Sequence, residues 1–214
     1  MSEKHHKNES VKRRPHYFNV DYNTKGRFCS YWHQINEVIS LQPENILEIG
    51  VGNRFVSNYL KIRDFNLITL DINEGLKPDV TGSVLRIPFI DKFFDIVACY
   101  EVLEHLPYGE FSKALKEIYR VSRKHAVLSL PDVTTVYRVN IELSRIKPIK
   151  ILIPFPFTRP KHHEFGGEHY FEIGKIGYPL KKIESDIEKS GFKIVTTYRV
   201  FEFIYHRFFI LEKI

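Results

Sequence analysis

The chain has 214 residues, 43% hydrophobic and 27% charged, the balance of an ordinary soluble globular protein with enough length for one sizeable core. Its two cysteines, Cys29 and Cys99, exclude a disulfide framework and point to a reducing, cytoplasmic setting. The net charge of +6 is concentrated in "KHHKNESVKRR", so residues 1–16 read as a disordered basic tail, with no secretory signal and no run long enough to span a bilayer.

Residues 17–214 read as a single domain in which strand-like apolar runs alternate with amphipathic helical patterns, the mark of a parallel α/β sheet. "RFCSYWHQINEVISLQ" places Tyr31, Ile35, Val38 and Ile39 on one helical face and stops at Pro43. "NILEIG" reads as the first buried strand, a helix follows over Phe55 to Ile62, and "NLITLDI" is a second strand. A short third strand is expected near Asp79 to Ser83, and "FFDIVACY" is the fourth. A helix from about Glu110 to Arg123 leads into the fifth strand, "HAVLSLP". Residues 132–178 then form a long insertion, irregular except for a helical piece expected around Thr135 to Arg145. A helix from Leu180 to Lys189 stops at Gly191, and "FKIVTTYRV" and "FEFIYHRFFILEKI" leave no room for a helix between them, so they pair as an antiparallel hairpin.

The stretch "ENILEIGVGNRF" raises the question of the ligand. Gly50 and Gly52 follow a strand and precede a helix, which lets the backbone approach a ligand closely. A dinucleotide fingerprint would place its third glycine at Phe55, where it is absent. Glu48, two residues before Gly50, would repel a pyrophosphate but suits the cationic amino end of an amino acid. Asp71 ends the second strand about 20 residues on, where an acid accepts from the hydroxyls of a ribose.

Taken together, "ILEIGVGN", "LITLDI" and "DVTGSVLRIPFIDKFFDIVACYEVLEHL" resemble the class I S-adenosylmethionine-dependent methyltransferases, in particular the small methyltransferase-domain group. The resemblance covers about Asn45 to Asp132 and implies a Rossmann-like, doubly wound, seven-stranded α/β sheet, mostly parallel with one antiparallel C-terminal strand. It implies S-adenosylmethionine as cofactor. Carried across, it assigns Glu48, Gly50, Gly52 and Asn53 to the methionine end, and Asp71 with Ile72 to ribose and adenine. Ser83 and Val84 match the adenine-contacting pair, and Tyr100 with Glu101 match the methyl-donor pocket after the fourth strand. The chain departs from the pattern at Arg54, where many members carry a third glycine, and at Ser83, where an aspartate usually accepts from the adenine amino group.

Methyl transfer from a sulfonium needs positioning more than a universal catalytic residue, so candidates for a base rest on placement alone. His105 lies four residues after Glu101, and His169 belongs to "PKHHEFGGEHYFEIG", an acceptor-side run with His162, His163, Glu164 and Glu168. The spacing within that run matches no zinc pattern, so no metal is expected. Tyr17, Tyr22 and Phe28 are candidates to close the pocket, and the apolar "IKILIPFPFTRP" can serve as a lid, a homodimer surface or a membrane-facing patch. The reading is methylation of a small molecule, without DNA. The alternatives are an RNA or protein acceptor held by the basic tail, a non-catalytic binding protein of the same fold, and a nicotinamide-dependent oxidoreductase, which Glu48 and the missing glycine disfavour.

Overall fold

The computed structural model describes residues 14–155 and 157–214. The basic tail read over residues 1–16 therefore lies outside them except at its end, which enters helix α1 (Arg14–Tyr17). No helix among the described residues is long and apolar enough to cross a membrane.

A seven-stranded sheet organises the chain, built from β1 (Asn45–Ile49), β2 (Asn66–Asp71), β3 (Val80–Thr81), β4 (Phe94–Tyr100), β5 (Ser122–Pro131), β8 (Phe192–Arg199) and β9 (His206–Lys213). Their order across the sheet is β3-β2-β1-β4-β5-β9-β8. The first five pair in parallel, and β9 runs antiparallel to both β5 and β8. β4 is buried at every position, as a central parallel strand covered on both faces must be.

The two faces carry separate cores. On one, α2 (Lys25–Ser40) and α3 (Phe55–Ile62) pack Tyr31, Val38, Val56 and Leu60 against Ile46, Ile96 and Val127. On the other, α4 (Tyr108–Val121) and α5 (Leu180–Lys189) bury Phe111, Leu115, Ile118, Ile183 and Ile187 against Leu47, Val97 and Leu128. The side chain of Thr24 caps α2 by accepting the Arg27 N–H, which fixes where the N-terminal segment turns toward the sheet.

Helix α5 ends on Gly191, whose φ of +106° is open to glycine but strained for other residues. A Cβ there would also lie 2.7 Å from Cε2 of Tyr119. Gly191→Ala is expected to lower unfolding free energy by about 2–3 kcal/mol in urea titration, the left-handed penalty and the overlap adding together.

The helical piece expected around residues 135–145 is absent. The structure has instead a two-stranded antiparallel sheet of β6 (Val136–Ile141) and β7 (Ile149–Pro154). "VYRVNI" is rich in β-branched and aromatic residues, and its hydrogen-bonding partner lies beyond the window in which helical spacing is read. The hairpin buries little of itself: Tyr137, Ile141, Ile149, Ile151 and Ile153 are all exposed. An ion pair between Lys150 and Glu202 ties it to the β8–β9 turn.

The end of β5 is secured by buried Asp132, whose carboxylate accepts from Arg207 Nε at 2.7 Å. Arg199 spends its guanidinium on the carbonyls of Ile204, Thr134 and Asp132. This network fixes the C-terminal hairpin against the insertion, and so fixes one wall of the site.

Candidate functional site

The strand order reverses between β1 and β4, and a crevice at the carboxyl ends of the strands is where an open α/β sheet binds ligands. The cleft found there is lined by every cofactor-site residue read from the sequence: Glu48, Gly50, Gly52 and Asn53 from the β1 loop, Asp71 and Ile72 after β2, Ser83 and Val84 after β3, and Tyr100 and Glu101 after β4.

The β1 loop is built around two glycines with positive φ, Gly50 at +84° and Gly52 at +48°. A Cβ at Gly50 would collide with the Val102 side chain, so no larger residue fits. Gly50 N–H donates to Leu70 O at 2.8 Å, and Val51 N–H donates to Asp71 Oδ2 at 2.9 Å. Asp71 Oδ1 accepts from Asn73 N–H at 2.8 Å. The Asp71 carboxylate thus joins the tips of β1 and β2, with one backbone N–H on each oxygen. Burial raises its pKa, against the pull of those donors.

Glu48 forms the floor. It is 4% exposed, its Oε2 has no hydrogen-bond partner, and burial lifts its carboxyl to about 8, opposed by Ser57, Lys61 and Arg54. An orphaned buried acceptor is costly, and it marks a position that a donor from a ligand would complete.

Asn53 differs from expectation. It lines the cleft, but its amide is engaged by protein: Nδ2 donates to Asn23 Oδ1 at 2.7 Å and to Tyr31 Oη at 3.0 Å, while Oδ1 accepts from Phe55 N–H. Its work is to start α3 and to fasten the N-terminal segment over the loop. Next to it, Arg54 adopts φ +65°, the conformation a glycine would take freely, and its Nη1 donates to Lys77 O at 2.6 Å. Arg54→Gly relieves about 1 kcal/mol of backbone strain and loses a hydrogen bond of similar worth. Its thermal midpoint is therefore expected to stay within about 3 °C of wild type by calorimetry.

At the β4 end the Tyr100 hydroxyl donates to Gln34 O, so the ring is held against α2. Glu101 sits at φ +52°, and burial raises its carboxyl to about 7. Its Oε2 lies 3.5 Å from Nε2 of His206, a fully buried imidazole that burial holds well below its usual pKa and hence neutral. Ser30 Oγ meets the other ring nitrogen at 2.8 Å. Ser83 Oγ accepts from Leu85 N–H at 3.2 Å and keeps further lone-pair capacity toward the cleft.

The N-terminal segment supplies the outer wall. Tyr17 and Tyr22 line the cleft, and their rings meet edge to face at 5.3 Å. Arg27 lies 3.9 Å over the Tyr22 ring and donates to its hydroxyl. Phe28 turns away to pack on Tyr31 and Phe55. Arg27, Gln34 and His206 also line the cleft and were missed from sequence. Each sits within an ordinary helix or strand pattern, and only the folding of α2 and β9 onto β4 brings them there.

His105 lines this cleft, whereas His169 lines a second cavity beside it, with His162, His163, Glu168 and Glu172. His169 Nδ1 lies 3.2 Å from Glu172 Oε1, and Tyr205 Oη donates to the same oxygen. These contacts, His169 first, hold the Glu172 carboxyl down at about 2.

Residues 47–130 match the family model described as a methyltransferase domain. Among curated proteins, the chain is 37% identical over 90 residues to an uncharacterised protein of Methanocaldococcus jannaschii and 29% identical over 99 residues to a tRNA U34 carboxymethyltransferase of Nautilia profundicola. Each match takes in 39% of this chain and only 38% and 33% of the respective relatives, so the chain spans less than two-fifths of their length. Among solved structures, a Burkholderia thailandensis 1,6-didemethyltoxoflavin-N1-methyltransferase with S-adenosylhomocysteine superposes with a TM-score of 0.61 at 10% identity, over 99% of this chain and 84% of that one. The magnesium protoporphyrin IX methyltransferase of Synechocystis gives 0.54 at 14% identity, over 88% and 84%. At such identities these likenesses establish a shared fold.

Proposed function

We propose that this chain is a class I S-adenosylmethionine-dependent methyltransferase, a reading that its match over residues 47–130 to a methyltransferase-domain family model supports, and that it transfers a methyl group from S-adenosylmethionine to a small-molecule acceptor. The observation that carries this reading is Glu48, a buried carboxylate with an orphaned oxygen on the cleft floor, beside a glycine turn and across from Asp71. An anionic pyrophosphate would meet Glu48 unfavourably, whereas a cationic α-amino group donates to it. The residues present therefore fit the cofactor.

Bound S-adenosylmethionine supplies a sulfonium methyl group that an acceptor nucleophile displaces in line. Glu48, ionised, takes the amino end, and the turn at Gly50 and Gly52 gives the backbone close approach. Asp71 accepts from the ribose hydroxyls with the lone pairs its backbone donors leave. Ile72 and Val84 supply apolar surface for adenine, and Ser83 accepts from its amino group. Tyr17 and Tyr22 exclude water, and their ring faces favour a cationic sulfur. Tyr100 and Glu101 close the acceptor side. The second cavity, lined by His162, His163 and His169, is the route by which the acceptor enters. The free cysteines Cys29 and Cys99 suit a reducing cytoplasm.

The small-molecule part draws support from the Burkholderia neighbour, which acts on a didemethyltoxoflavin. A calorimetric titration with S-adenosylmethionine, S-adenosylhomocysteine and NAD tests the cofactor. Heat from both adenosyl ligands and none from NAD is expected, and tight NAD binding alone would overturn the reading. Labelled methyl from the cofactor, incubated with cell extract, should appear in the low-molecular-weight fraction. Label confined to RNA or protein would refute the acceptor class.

A further inference from the structure

Glu104 lies in the Leu103–His105 turn, fully buried, with no hydrogen-bond partner on either carboxylate oxygen. Glu101, three residues earlier, also has a buried carboxylate oxygen, Oε1, without a hydrogen-bond partner. Two carboxylates facing one another out of water need a proton or a cation to compensate them. Holding the methyl donor, as described above, makes no use of Glu104.

Two histidines complete its surroundings. Glu104, His105 and His169 offer ligand atoms that all lie within 4.8 Å of one another. Each imidazole also has a partner at Nδ1. His105 Nδ1 meets Glu168 O at 2.9 Å, and His169 Nδ1 meets the Glu172 carboxylate at 3.2 Å. A backbone carbonyl and a carboxylate are the kind of partner that orients a metal-ligating histidine through its other ring nitrogen. The Tyr170 N–H donates to Glu104 O at 2.7 Å, which ties the His169 segment to the turn carrying the other two residues.

We propose that Glu104, His105 and His169 hold a divalent transition-metal cation that takes an oxygen of the methyl acceptor. The cation site stands on these side chains, and its part in methyl transfer rests on the cofactor reading above. Two imidazoles and a carboxylate suit Mn²⁺, Fe²⁺ or Zn²⁺ better than Ca²⁺ or Mg²⁺. Metal–ligand bonds near 2.1 Å keep opposite donors within about 4.2 Å, so the cluster closes by roughly half an ångström through side-chain rotation. The spacing within residues 160–174 gave no sign of such a site, because it joins a turn after β4 to a loop more than sixty residues later.

The placement gives the cation a task. His105 lines the cofactor cleft and His169 the adjoining cavity, so the cation lies where donor and acceptor meet. A hydroxyl held there ionises near neutral pH, releasing its proton to solvent. The oxygen then bonds to the methyl carbon as the carbon–sulfur bond breaks and its electron pair goes to sulfur. The products are a methyl ether, S-adenosylhomocysteine and the released proton. The acceptor is accordingly an oxygen nucleophile.

The test uses the full chain without a polyhistidine tag, stripped with chelator and dialysed. Calorimetric and electron paramagnetic resonance titration with Mn²⁺ is expected to show one site per chain. Glu104→Gln and His169→Ala should each weaken it at least tenfold, and Glu172→Gln, which acts through His169, should weaken it about tenfold. S-adenosylhomocysteine titrations of the same samples, with circular dichroism, should stay within about threefold of wild type. Absence of Mn²⁺ uptake by wild type, or uptake unchanged in both ligand variants, overturns the site while leaving the cofactor reading intact. Failure of wild type to bind S-adenosylhomocysteine would strike the cofactor reading instead, and the Mn²⁺ result would still decide the cation site.

Discussion

Asp71→Ala is expected to weaken S-adenosylhomocysteine binding by 100-fold or more. The carboxylate serves both ligand and protein. Its two oxygens accept Val51 N–H and Asn73 N–H, so it shapes the glycine turn before any ligand arrives. Hydrogen bonds to a charged partner are worth about 1.5–3 kcal/mol each, and about 1.4 kcal/mol is tenfold in affinity. Losing both ribose contacts therefore accounts for two or more decades. Asp71→Asn keeps one acceptor oxygen and should lose only about tenfold. Isothermal titration of both variants, with thermal unfolding as a check on folding, measures this. Affinity unchanged in Asp71→Ala would remove the ribose from this position.

Glu48→Gln is expected to abolish measurable cofactor binding while making the ligand-free protein more stable at alkaline pH. The folded-state pKa of Glu48, about 8, lies above the ordinary glutamate value of 4.5, so the folded state holds more protons between those values. Its contribution to stability is present below the lower value and is lost as pH rises through the upper one. Each unit is worth about 1.4 kcal/mol. After the cost of burying a neutral amide, the variant should gain about 1–3 kcal/mol at pH 9, a rise of roughly 3–10 °C in thermal midpoint, and nothing at pH 4. The same shift predicts proton release when wild type binds S-adenosylhomocysteine at pH 7, because the cationic amino group demands the ionised carboxylate. Calorimetry in buffers of different ionisation enthalpy reads this directly. Binding heats independent of buffer would mean that Glu48 does not meet the amino group.

Glu48 also shows how far a single sequence reaches. Its residue type and its place two before Gly50 were enough to argue for a cationic ligand. That it is buried, and costly to ionise without one, appears only when α3 and β4 close around it. Asn53 illustrates the reverse: the family resemblance assigned it to the methionine end, but its amide is committed to Asn23 and Tyr31. Tyr31 was visible as a core position of α2, and its hydroxyl's link to the loop was not.

The sequence by itself determined the alternating strands and helices, the glycine turn, the acid after β2 and the closing hairpin. Each of these is encoded by neighbours within about twenty residues, through strand runs, helical periodicity and turn chemistry. Tertiary structure alone decided the β6–β7 hairpin, the use of Arg27 and His206 as cleft walls, and the meeting of Glu104 and His105 with His169. Those depend on pairing between distant segments, and local periodicity carries no record of which segments meet.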